Sequence, residues 1–395
     1  MDNPLAGQWT LEPGLAFLNH GSFGACPWVV IEAREALYRG LERQPVAFLA
    51  RELPGRIDAA REVLAAFVGA DPRDLVFVPN ATTGVNAVLR SLPLAAGDEL
   101  LTTDHAYNAC RNTLEYVASR AGAQVVVARV PFPLERPAQV VEAVLAAVTP
   151  RTRLALLDHV TSPTGLVLPI AELVAELSAR GVDTLVDGAH APGMVPLDLE
   201  ALGATYYTGN CHKWLCAPKG AALLHVRRDK QDEVRPHVIS HGANTPRAGR
   251  SRFHDEFDWT GSDDPTAYLC VPAALEAMAA MVPGGWPEIR RRNRELALAG
   301  RRILMEALGV EPPCPEEMIG SLAALPLPDG SSEPPRSALY ADPLQEVLLA
   351  EHRIEVPIVP WPRPPKRLIR ISAQLYNSEE EYRRLSGALQ SILHE

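Results

Sequence analysis

Between about residue 70 and residue 230, short apolar runs alternate with longer amphipathic segments. The runs are rich in aliphatic and β-branched residues, which is typical of buried strands. They read DLVFVP, DELLTTD, AQVVVARVP, TRLALLDHV, DTLVDGAH, ATYYTGN and GAALLHVRR. The segments between them carry apolar residues at helical spacing: TTGVNAVLRSL, YNACRNTLEYVASRAG, PAQVVEAVLAAVT and LPIAELVAELSARG. This alternation predicts a mostly parallel sheet with helices on both faces, an α/β fold.

The pattern changes at both ends of this block. PWVVIEAREALYRGLERQ and LPGRIDAAREVLAAFVGA precede it and are predicted to be helices. After about residue 265 two helices are expected, TAYLCVPAALEAMAAM and WPEIRRRNRELALAGRRILMEAL. EPPCPEEMIGSLAALPLPDGSSEPP predicts loop with a short strand, and LIRISAQLYNSEEEYRRLSGALQSIL predicts a strand followed by a helix. These final segments predict a second, smaller α+β domain.

The composition narrows the class of protein. The 395 residues are 47% hydrophobic and 22% charged, as in soluble globular proteins. The net charge of −10 argues against a nucleic-acid surface, which needs a basic patch. No apolar run approaches the roughly 20 residues of a membrane helix, and no signal peptide is evident. The six cysteines lack paired spacing, so a reducing cytoplasm is expected.

Chemically capable residues follow several predicted strands. Ligands of parallel sheets bind beyond the carboxyl ends of the strands, so these loops are the place to look. In NATTGVN, Thr82 and Thr83 stand at a helix start that suits a phosphate, although a plain helix cap is the alternative. In TTDHAYNAC, His105 and Tyr107 could stack on a flat ring, although a core-facing or surface histidine is the more common explanation of such a residue by itself.

Two further loops carry ionisable groups in apolar surroundings. Asp187 ends the strand of LVDGAH and needs a partner such as a protonated ring nitrogen or a metal, with His190 close by. No other ligand at suitable spacing supports a metal site. Lys213 lies in YYTGNCHKWLCAPKG, where a desolvated amine would be a good imine nucleophile and a snorkelling surface lysine is the alternative.

Zinc is the competing interpretation of the loop around Lys213. Cys211, His212 and Cys216 could supply ligands, but their spacing does not fit a structural zinc site, so no metal is predicted. A phosphate anchor, a stacking ring, an aspartate for a pyridinium nitrogen and a lysine for an aldehyde together fit one ligand. That ligand is pyridoxal 5′-phosphate.

The chain resembles the class V aminotransferase family of fold-type I pyridoxal-phosphate enzymes, and within it the isopenicillin N epimerase-like branch. The resemblance covers almost the whole chain. It rests on FLNHGSFGACP, NATTGVNAVLRSL, DHVTSPTGLVLPI, LVDGAHAPG, YYTGNCHKWLCAPKG, WTGSDDPTAYL and RISAQLYNS. We therefore expect an N-terminal arm over 1–30, a large cofactor domain over 31–265 and a small domain over 266–395. Part of the N-terminal helices is expected to pack with the small domain.

The resemblance implies roles for individual residues. Lys213 would bond covalently to the cofactor, Asp187 would pair with its ring nitrogen, and His190 would lie near its phenolic oxygen. His105 would stack on the ring, with Tyr107 as a rival for that role. The phosphate contacts would be Thr82, Thr83, Asn210 and His212, together with Thr260 of the WTG segment from a neighbouring subunit. A homodimer with shared active sites follows from this arrangement.

The substrate side is implied in the same way. Arg370 would clamp the α-carboxylate of an amino acid or small peptide, and Asn19, His20 and Ser162 would line the pocket. Related cysteine desulfurases carry a nucleophilic cysteine shortly before this arginine. IEVPIVPWPRPPKRLIR contains none, which argues against persulfide formation by that mechanism.

The branch implied by the resemblance favours epimerisation at an α-carbon. Epimerisation requires a second acid/base besides Lys213, for which His20, Tyr107 or an ordered water are candidates. A C–S lyase acting on a cysteine conjugate and a class V aminotransferase are the alternatives. A non-catalytic protein is disfavoured because Lys213, Asp187 and Arg370 are all present.

Overall fold

The computed structural model describes residues 3–244, 247, 249–332 and 342–394. The strands are β1 (Ala16–Phe17), β2 (Leu75–Val78), β3 (Glu99–Thr103), β4 (Gln124–Ala128), β5 (Thr152–Asp158), β6 (Asp183–Asp187), β7 (Tyr206–Asn210), β8 (Ala222–Val226), β9 (Leu322–Leu327), β10 (Ile354–Glu355), β11 (Ile358–Pro360) and β12 (Arg367–Ser372). The helices are α1 (His20–Phe23), α2 (Trp28–Arg43), α3 (Leu53–Val68), α4 (Ala81–Ser91), α5 (Asn108–Ala121), α6 (Ala138–Ala146), α7 (Ile170–Ala179), α8 (Leu199–Leu202), α9 (Arg252–Phe257), α10 (Thr266–Leu269), α11 (Val271–Ala280), α12 (Gly285–Leu308), α13 (Pro343–His352) and α14 (Glu379–His394).

The predicted α/β block is confirmed as a seven-stranded sheet in the order β2-β8-β7-β6-β5-β3-β4. Only β8 runs antiparallel to its neighbours in this sheet. Helices α4 and α5 pack on one face, whereas α6 and α7 pack on the other. Every residue of β2, β3, β7 and β8 is buried, because both faces of the sheet are covered. This is why β2 and β8 read as nearly continuous apolar runs.

The C-terminal region builds a second, antiparallel sheet in the order β11-β12-β9. Helices α12 and α14 pack against each other, and α12 also packs on β9. The N-terminal segment reaches this region, because β1 pairs in parallel with β10. Helices α2 and α3 pack against α10 and α11. The boundaries of the two domains stay a prediction.

Several C-terminal details differ from the expectation. The helix predicted over TAYLCVPAALEAMAAM is divided at Cys270, because Pro272 lacks the N–H that would continue α10. The predicted short strand in the proline-rich stretch is β9, and residues 333–335 of that stretch lie outside the described residues. Strands β1, β10 and β11 and helix α13 were not predicted, since they are short or rich in proline. Within the described ranges no single helix is long and apolar enough to cross a membrane, although the bent pair 266–280 and 285–308 passes by length and composition.

Candidate active site

The loop that carries Lys213 joins β7 to β8 and is held by close backbone contacts. A Cβ on Gly24 would lie 2.1 Å from the carbonyl oxygen of His212, and a Cβ on Gly193 would lie 2.6 Å from that of Trp214. Both glycines also have positive φ, of 69° and 89°. Only glycine tolerates this combination, so two separate segments fix the loop on either side of the lysine.

The side-chain amine of Lys213 lies 3.2 Å from Nε2 of His190. Trp214 Nε1 donates to His190 Nδ1 at 3.4 Å, which leaves the imidazole proton on Nε2, facing the amine. Burial lowers the pKa of His190 well below its usual value, so the ring is neutral. Burial, and then the charge of Arg370, also lower the pKa of Lys213 to about 7. A neutral amine that accepts from His190 is therefore readily formed.

We expect covalent attachment of an aldehyde cofactor to cofactor-free protein to follow the lowered pKa of Lys213. With a pKa of about 7 the neutral, nucleophilic fraction rises about tenfold between pH 6 and pH 8 and then levels off. The attachment rate is measured from absorbance, with free N-acetyl-lysine as a control for titration of the cofactor itself. A rate that keeps rising tenfold per pH unit through pH 9 would contradict the lowered pKa.

Asp187 ends β6 and lies beside Asp158, its register partner at the end of β5. Its Oδ2 accepts from Cys110 Sγ at 3.1 Å, and its Oδ1 accepts from the Ala189 N–H at 3.0 Å. Burial and the charge of Asp187 raise the pKa of Asp158 well above its usual value. Burial also raises the pKa of Asp187, but the bonds from Cys110 and Ala189 and the charge of Lys213 oppose this. Of the two, Asp158 is the more readily protonated, which favours the negative charge on Asp187.

The start of α4 is capped by Asn80. The Oδ1 of Asn80 accepts from the Thr83 N–H at 2.8 Å and lies 3.1 Å from the Thr83 hydroxyl, which donates to it. Asn210 holds the same helix start from β7, because its Oδ1 accepts from the Ala81 N–H at 2.9 Å. The plain-cap alternative therefore holds for Asn80, while Thr82 and Thr83 lie in the first turn beyond it.

Helix α4 lies unusually close to the sheet. A Cβ on Gly84 would lie 2.3 Å from the hydroxyl oxygen of Thr208 on β7.

His212, on the loop after β7, donates from Nδ1 to the Ala221 carbonyl at 3.1 Å. The second nitrogen of that ring, Nε2, is not used in this bond. Thr260 lines a small cavity of about 140 Å³ together with Thr83.

A larger cavity of about 530 Å³ opens above Lys213. Its wall includes Tyr107, Ser162 and Arg370. One guanidinium nitrogen of Arg370 donates to the Ser162 carbonyl at 2.6 Å and to the Ser162 hydroxyl at 3.1 Å, and another donates to Ser22 Oγ at 3.1 Å. Arg370 is thus held in place at the inner end of the cavity.

Asn19 is not among the residues that line this cavity, but it contacts Ser22, which is. Its Oδ1 accepts from Ser22 Oγ at 2.5 Å, and its Nδ2 donates to Glu355 on β10 at 3.0 Å. Asn19 therefore positions a serine that contacts Arg370. The link to Glu355 was not foreseen, because the strand that carries it was not predicted.

His20 does not line the cavity, contrary to the expectation. Its side chain is fully buried, with Nδ1 2.9 Å from the Tyr376 hydroxyl and Nε2 donating to the Lys213 carbonyl at 3.0 Å. Its ring also packs against Trp214, at 4.8 Å between centroids. Burial lowers the pKa of His20 to about 3. These contacts support the lysine loop from behind, and they make His20 a poor candidate for the second acid/base.

His105 is likewise turned away from the cavity. Nε2 of His105 donates to the Val130 carbonyl at 3.1 Å, and Nδ1 accepts from the Thr164 hydroxyl at 2.8 Å. Its ring lies 4.4 Å from that of Trp361. Tyr107, two residues later, is 40% exposed and forms part of the cavity wall. The structure therefore places Tyr107 on the cavity wall, and the ring-stacking role of His105 stays a prediction.

The residues present fit pyridoxal 5′-phosphate. Lys213 offers a weakly basic amine for the aldehyde. Asp187 is a buried carboxylate whose described hydrogen bonds come from a thiol and a backbone N–H, so it suits a protonated ring nitrogen. The N-terminus of the 11-residue helix α4 suits the phosphate.

Comparisons with known proteins point the same way. Residues 24–311 match the family described as Aminotransferase class-V. The chain is 37% identical to isopenicillin N epimerase of Streptomyces clavuligerus, over 98% of each chain. It is 39% identical to isopenicillin N epimerase of Amycolatopsis lactamdurans, over 98% of this chain and 97% of that protein. It is also 32% identical to a probable chloroplastic L-cysteine desulfhydrase of Arabidopsis thaliana, over 97% of this chain and 84% of that protein.

Among solved structures, the fold is similar to that of C-DES. A lysine-to-alanine variant of C-DES, with glycine linked covalently to its PLP cofactor, gives a TM-score of 0.81 at 25% identity, over 97% of this chain and 98% of that chain. In a second structure, C-DES is described as a cystine C–S lyase in complex with its reaction product, cysteine persulfide. That structure gives a TM-score of 0.78 at 25% identity, over 96% of this chain and 98% of that chain. The chain has the fold of the fold-type I enzymes, and its cofactor is pyridoxal 5′-phosphate. The chain belongs to the class-V aminotransferase family.

Proposed function

We propose that this enzyme inverts the α-carbon of an amino acid or of a substrate with an amino-acid end. The observation that carries the proposal is that two proton-handling groups, Lys213 and Tyr107, reach one cavity from different elements. Lys213 comes from the loop after β7, and Tyr107 comes from the start of α5. Inversion needs a proton removed on one face of the α-carbon and returned on the other, so two groups on different walls suit it.

The cofactor would be held by residues on four loops. Asp187 would pair with the ring nitrogen, and Tyr107 would lie against the ring in place of His105. The phosphate would lie at the N-terminus of α4, with Thr82, Thr83 and His212 around it. Bound there, pyridoxal 5′-phosphate supplies an electron sink that stabilises the charge left on the α-carbon when its proton is removed.

Arg370 would hold the substrate. A guanidinium binds a carboxylate through two parallel hydrogen bonds, and Arg370 is already oriented by Ser162 and Ser22. The α-carboxylate would therefore lie at the inner end of the cavity, which leaves the α-hydrogen within reach of Lys213. The side chain of the substrate would point toward the opening.

The proton movements follow from the lowered pKa of Lys213 and the raised pKa of Tyr107. Lys213, with a pKa of about 7, can take the α-proton as a neutral amine. Burial, with the nearby Cys110 and Asp187, raises the pKa of Tyr107, so its phenol stays protonated and can return a proton from the other wall. Because Tyr107 is 40% exposed, solvent can restore its proton.

A second subunit would complete the phosphate site. In this chain Thr260 and Thr83 are among the residues that line a cavity of about 140 Å³. We propose a homodimer in which the Thr260 segment of each subunit contributes to the cofactor site of the other. Thr260→Ala should then weaken cofactor binding, and unchanged cofactor binding in that variant, or full binding by a monomer, would count against this arrangement.

A C–S lyase is the second candidate. It is favoured by the likeness to the L-cysteine desulfhydrase of Arabidopsis thaliana and to the C–S lyase structure. Such a reaction would use Lys213 and Arg370 in the same way, but it requires a leaving group on the β-carbon and no proton donor at Tyr107.

The two reactions separate in heavy water. Purified holoenzyme is incubated with candidate amino acids, and α-deuteration, configuration, thiol release and keto-acid release are followed together. Inverted, deuterated product without pyruvate or another keto acid is the expected result. Pyruvate released with a thiol would overturn the epimerase in favour of the lyase, and a keto acid that keeps the substrate side chain would favour an aminotransferase.

Replacing Tyr107 with phenylalanine is expected to separate exchange from inversion. Phenylalanine keeps the ring but loses the proton, so inversion should fall about 100-fold or more while α-deuteration by Lys213 falls less than about tenfold. Tyr116→Phe, on the exposed side of the same helix, is the matched control. Equal losses of exchange and inversion would remove Tyr107 from the role of proton donor.

A further inference from the structure

The opening of the cavity is cationic in an otherwise acidic protein. The cavity wall carries four cationic side chains and one carboxylate, in a chain whose net charge is −10: Arg111, Lys213, Arg363, Arg370 and Asp104. The proposed function uses Lys213 for the cofactor and Arg370 for the α-carboxylate. Arg111 and Arg363 are left without a role in that chemistry.

The two arginines come from different walls. Arg111 lies in the first turn of α5, and Arg363 lies in the turn between β11 and β12. Arg111 uses only its Nε, which donates to Glu115 at 3.0 Å, so its terminal nitrogens stay available. Arg363 forms no ion pair or side-chain hydrogen bond with any residue in the described part of the chain. Two cationic side chains that line one cavity favour an anion there, although the ion pair with Glu115 weakens the contribution of Arg111.

The turn that carries Arg363 is held in place. The ring of Trp361 packs against that of His105, with 4.4 Å between the ring centroids. The backbone N–H of Trp361 donates to the Lys366 carbonyl at 3.0 Å. The turn also contains several prolines, which restrict φ and limit its conformations. This explains the buried position of His105, and it means that Arg363 is presented to the cavity by a supported loop.

The residues that line the cavity give a path for a longer side chain. With the α-carboxylate on Arg370 at the inner end, a side chain would run along Tyr107 and the apolar wall of Ile358 and Pro360 toward the opening. The volume of about 530 Å³ is shared between the cofactor bound to Lys213 and the substrate. The far end of such a side chain would meet Arg111 and Arg363.

We propose that Arg111 and Arg363 form a second anion-binding subsite, which selects substrates whose side chain ends in a carboxylate. This inference rests on the proposed placement of the α-carboxylate at Arg370. A guanidinium pair recognises a distal carboxylate by charge and by directed hydrogen bonds, and it disfavours a cationic end.

The test uses binding to the wild-type holoenzyme, read from the change in cofactor absorbance. The probes are L-glutamate and L-2-aminoadipate, which end in a carboxylate, L-norleucine, which is neutral, and L-lysine, which is cationic. We expect at least one anionic probe to bind about tenfold more tightly than L-norleucine, and L-lysine to bind most weakly. The preference should shrink as salt is raised, since both arginines are near solvent.

Variants then assign the preference to the two arginines. Arg363→Gln and Arg111→Gln should each weaken binding of the anionic probe about tenfold while changing L-norleucine binding less than about twofold. Arg120→Gln, farther along α5 and outside the cavity wall, is the matched control. Equal dissociation constants for anionic and neutral probes in the wild type, or a preference that survives the double variant, would overturn the subsite.

Failure of the subsite and failure of the proposed reaction give different results. α-Deuteration and inversion of neutral amino acids without any anionic preference would overturn the subsite and leave the reaction standing. Tight, Arg363-dependent binding of an anionic probe without α-deuteration of any amino acid would support the subsite and overturn the reaction.

Discussion

Replacing Lys213 with alanine is expected to abolish covalent attachment of the cofactor and to lower α-deuteration by about 10⁴-fold or more. The alanine variant loses both the amine that bonds to the aldehyde and the general base for the α-proton. The effect should be on chemistry, not on folding, because the Lys213 backbone carbonyl keeps its bond from His20 and the flanking glycines are unchanged. Thermal unfolding of the variant without cofactor should match that of the cofactor-free wild type.

Borohydride reduction followed by peptide mapping gives the matched control. The chain has only four lysines, at positions 213, 219, 230 and 366. We expect the reduced cofactor on Lys213 alone. Lys219 is the nearest comparison, since its amine donates to the Gly24 carbonyl at 3.0 Å outside the cavity wall. A label on Lys219, or an unchanged adduct in Lys213→Ala, would contradict the assignment.

Replacing Asp187 with asparagine is the second large effect, with an expected loss of about 10³-fold in α-deuteration. Asparagine can still accept from the Ala189 N–H, but it cannot supply the negative charge that keeps a ring nitrogen protonated. The electron sink then weakens, and the α-proton becomes harder to remove. The absorbance of the bound cofactor should shift as well, which provides a readout that does not depend on turnover.

Asp158→Asn is the matched control for this charge. Burial raises the pKa of Asp158, which favours its neutral form, so an amide of similar shape should change α-deuteration less than about tenfold. A stronger effect of Asp158→Asn than of Asp187→Asn would reverse our assignment of the charge within the pair. Each variant needs a spectrum and a cofactor dissociation constant, so that weak binding is not mistaken for slow chemistry.

The alternation of strands and helices was predictable because the central strands are buried on both faces. Their continuous apolar runs are visible in the sequence, and the residues that end them, such as Asp187, lie in loops at one edge of the sheet. That Lys213 and Arg370 would lie at one cavity was expected only from the family resemblance. Strand β12, which carries Arg370, is far away in sequence and belongs to a different sheet.

The direction of loop side chains was not predictable. His105 and Tyr107 are two residues apart, and only the contacts of His105 with Thr164 and Trp361 decide which of them faces the cavity. The burial of His20 was not predictable for the same reason, since it involves Tyr376 near the C-terminus. The pairing of Asp158 with Asp187 could have been predicted, because the sequence places a carboxylate at the end of each of two neighbouring strands.

The central claim is that Lys213 and Tyr107 act on opposite faces of one α-carbon. The most direct test is the deuterium content of the first inverted product formed from a protiated amino acid in heavy water. If Tyr107 supplies the second proton from solvent, almost every inverted molecule carries one deuterium at the α-carbon from the earliest time points. Protium carried into the inverted product would show that Lys213 moves the proton alone, and pyruvate in place of inverted product would contradict the account.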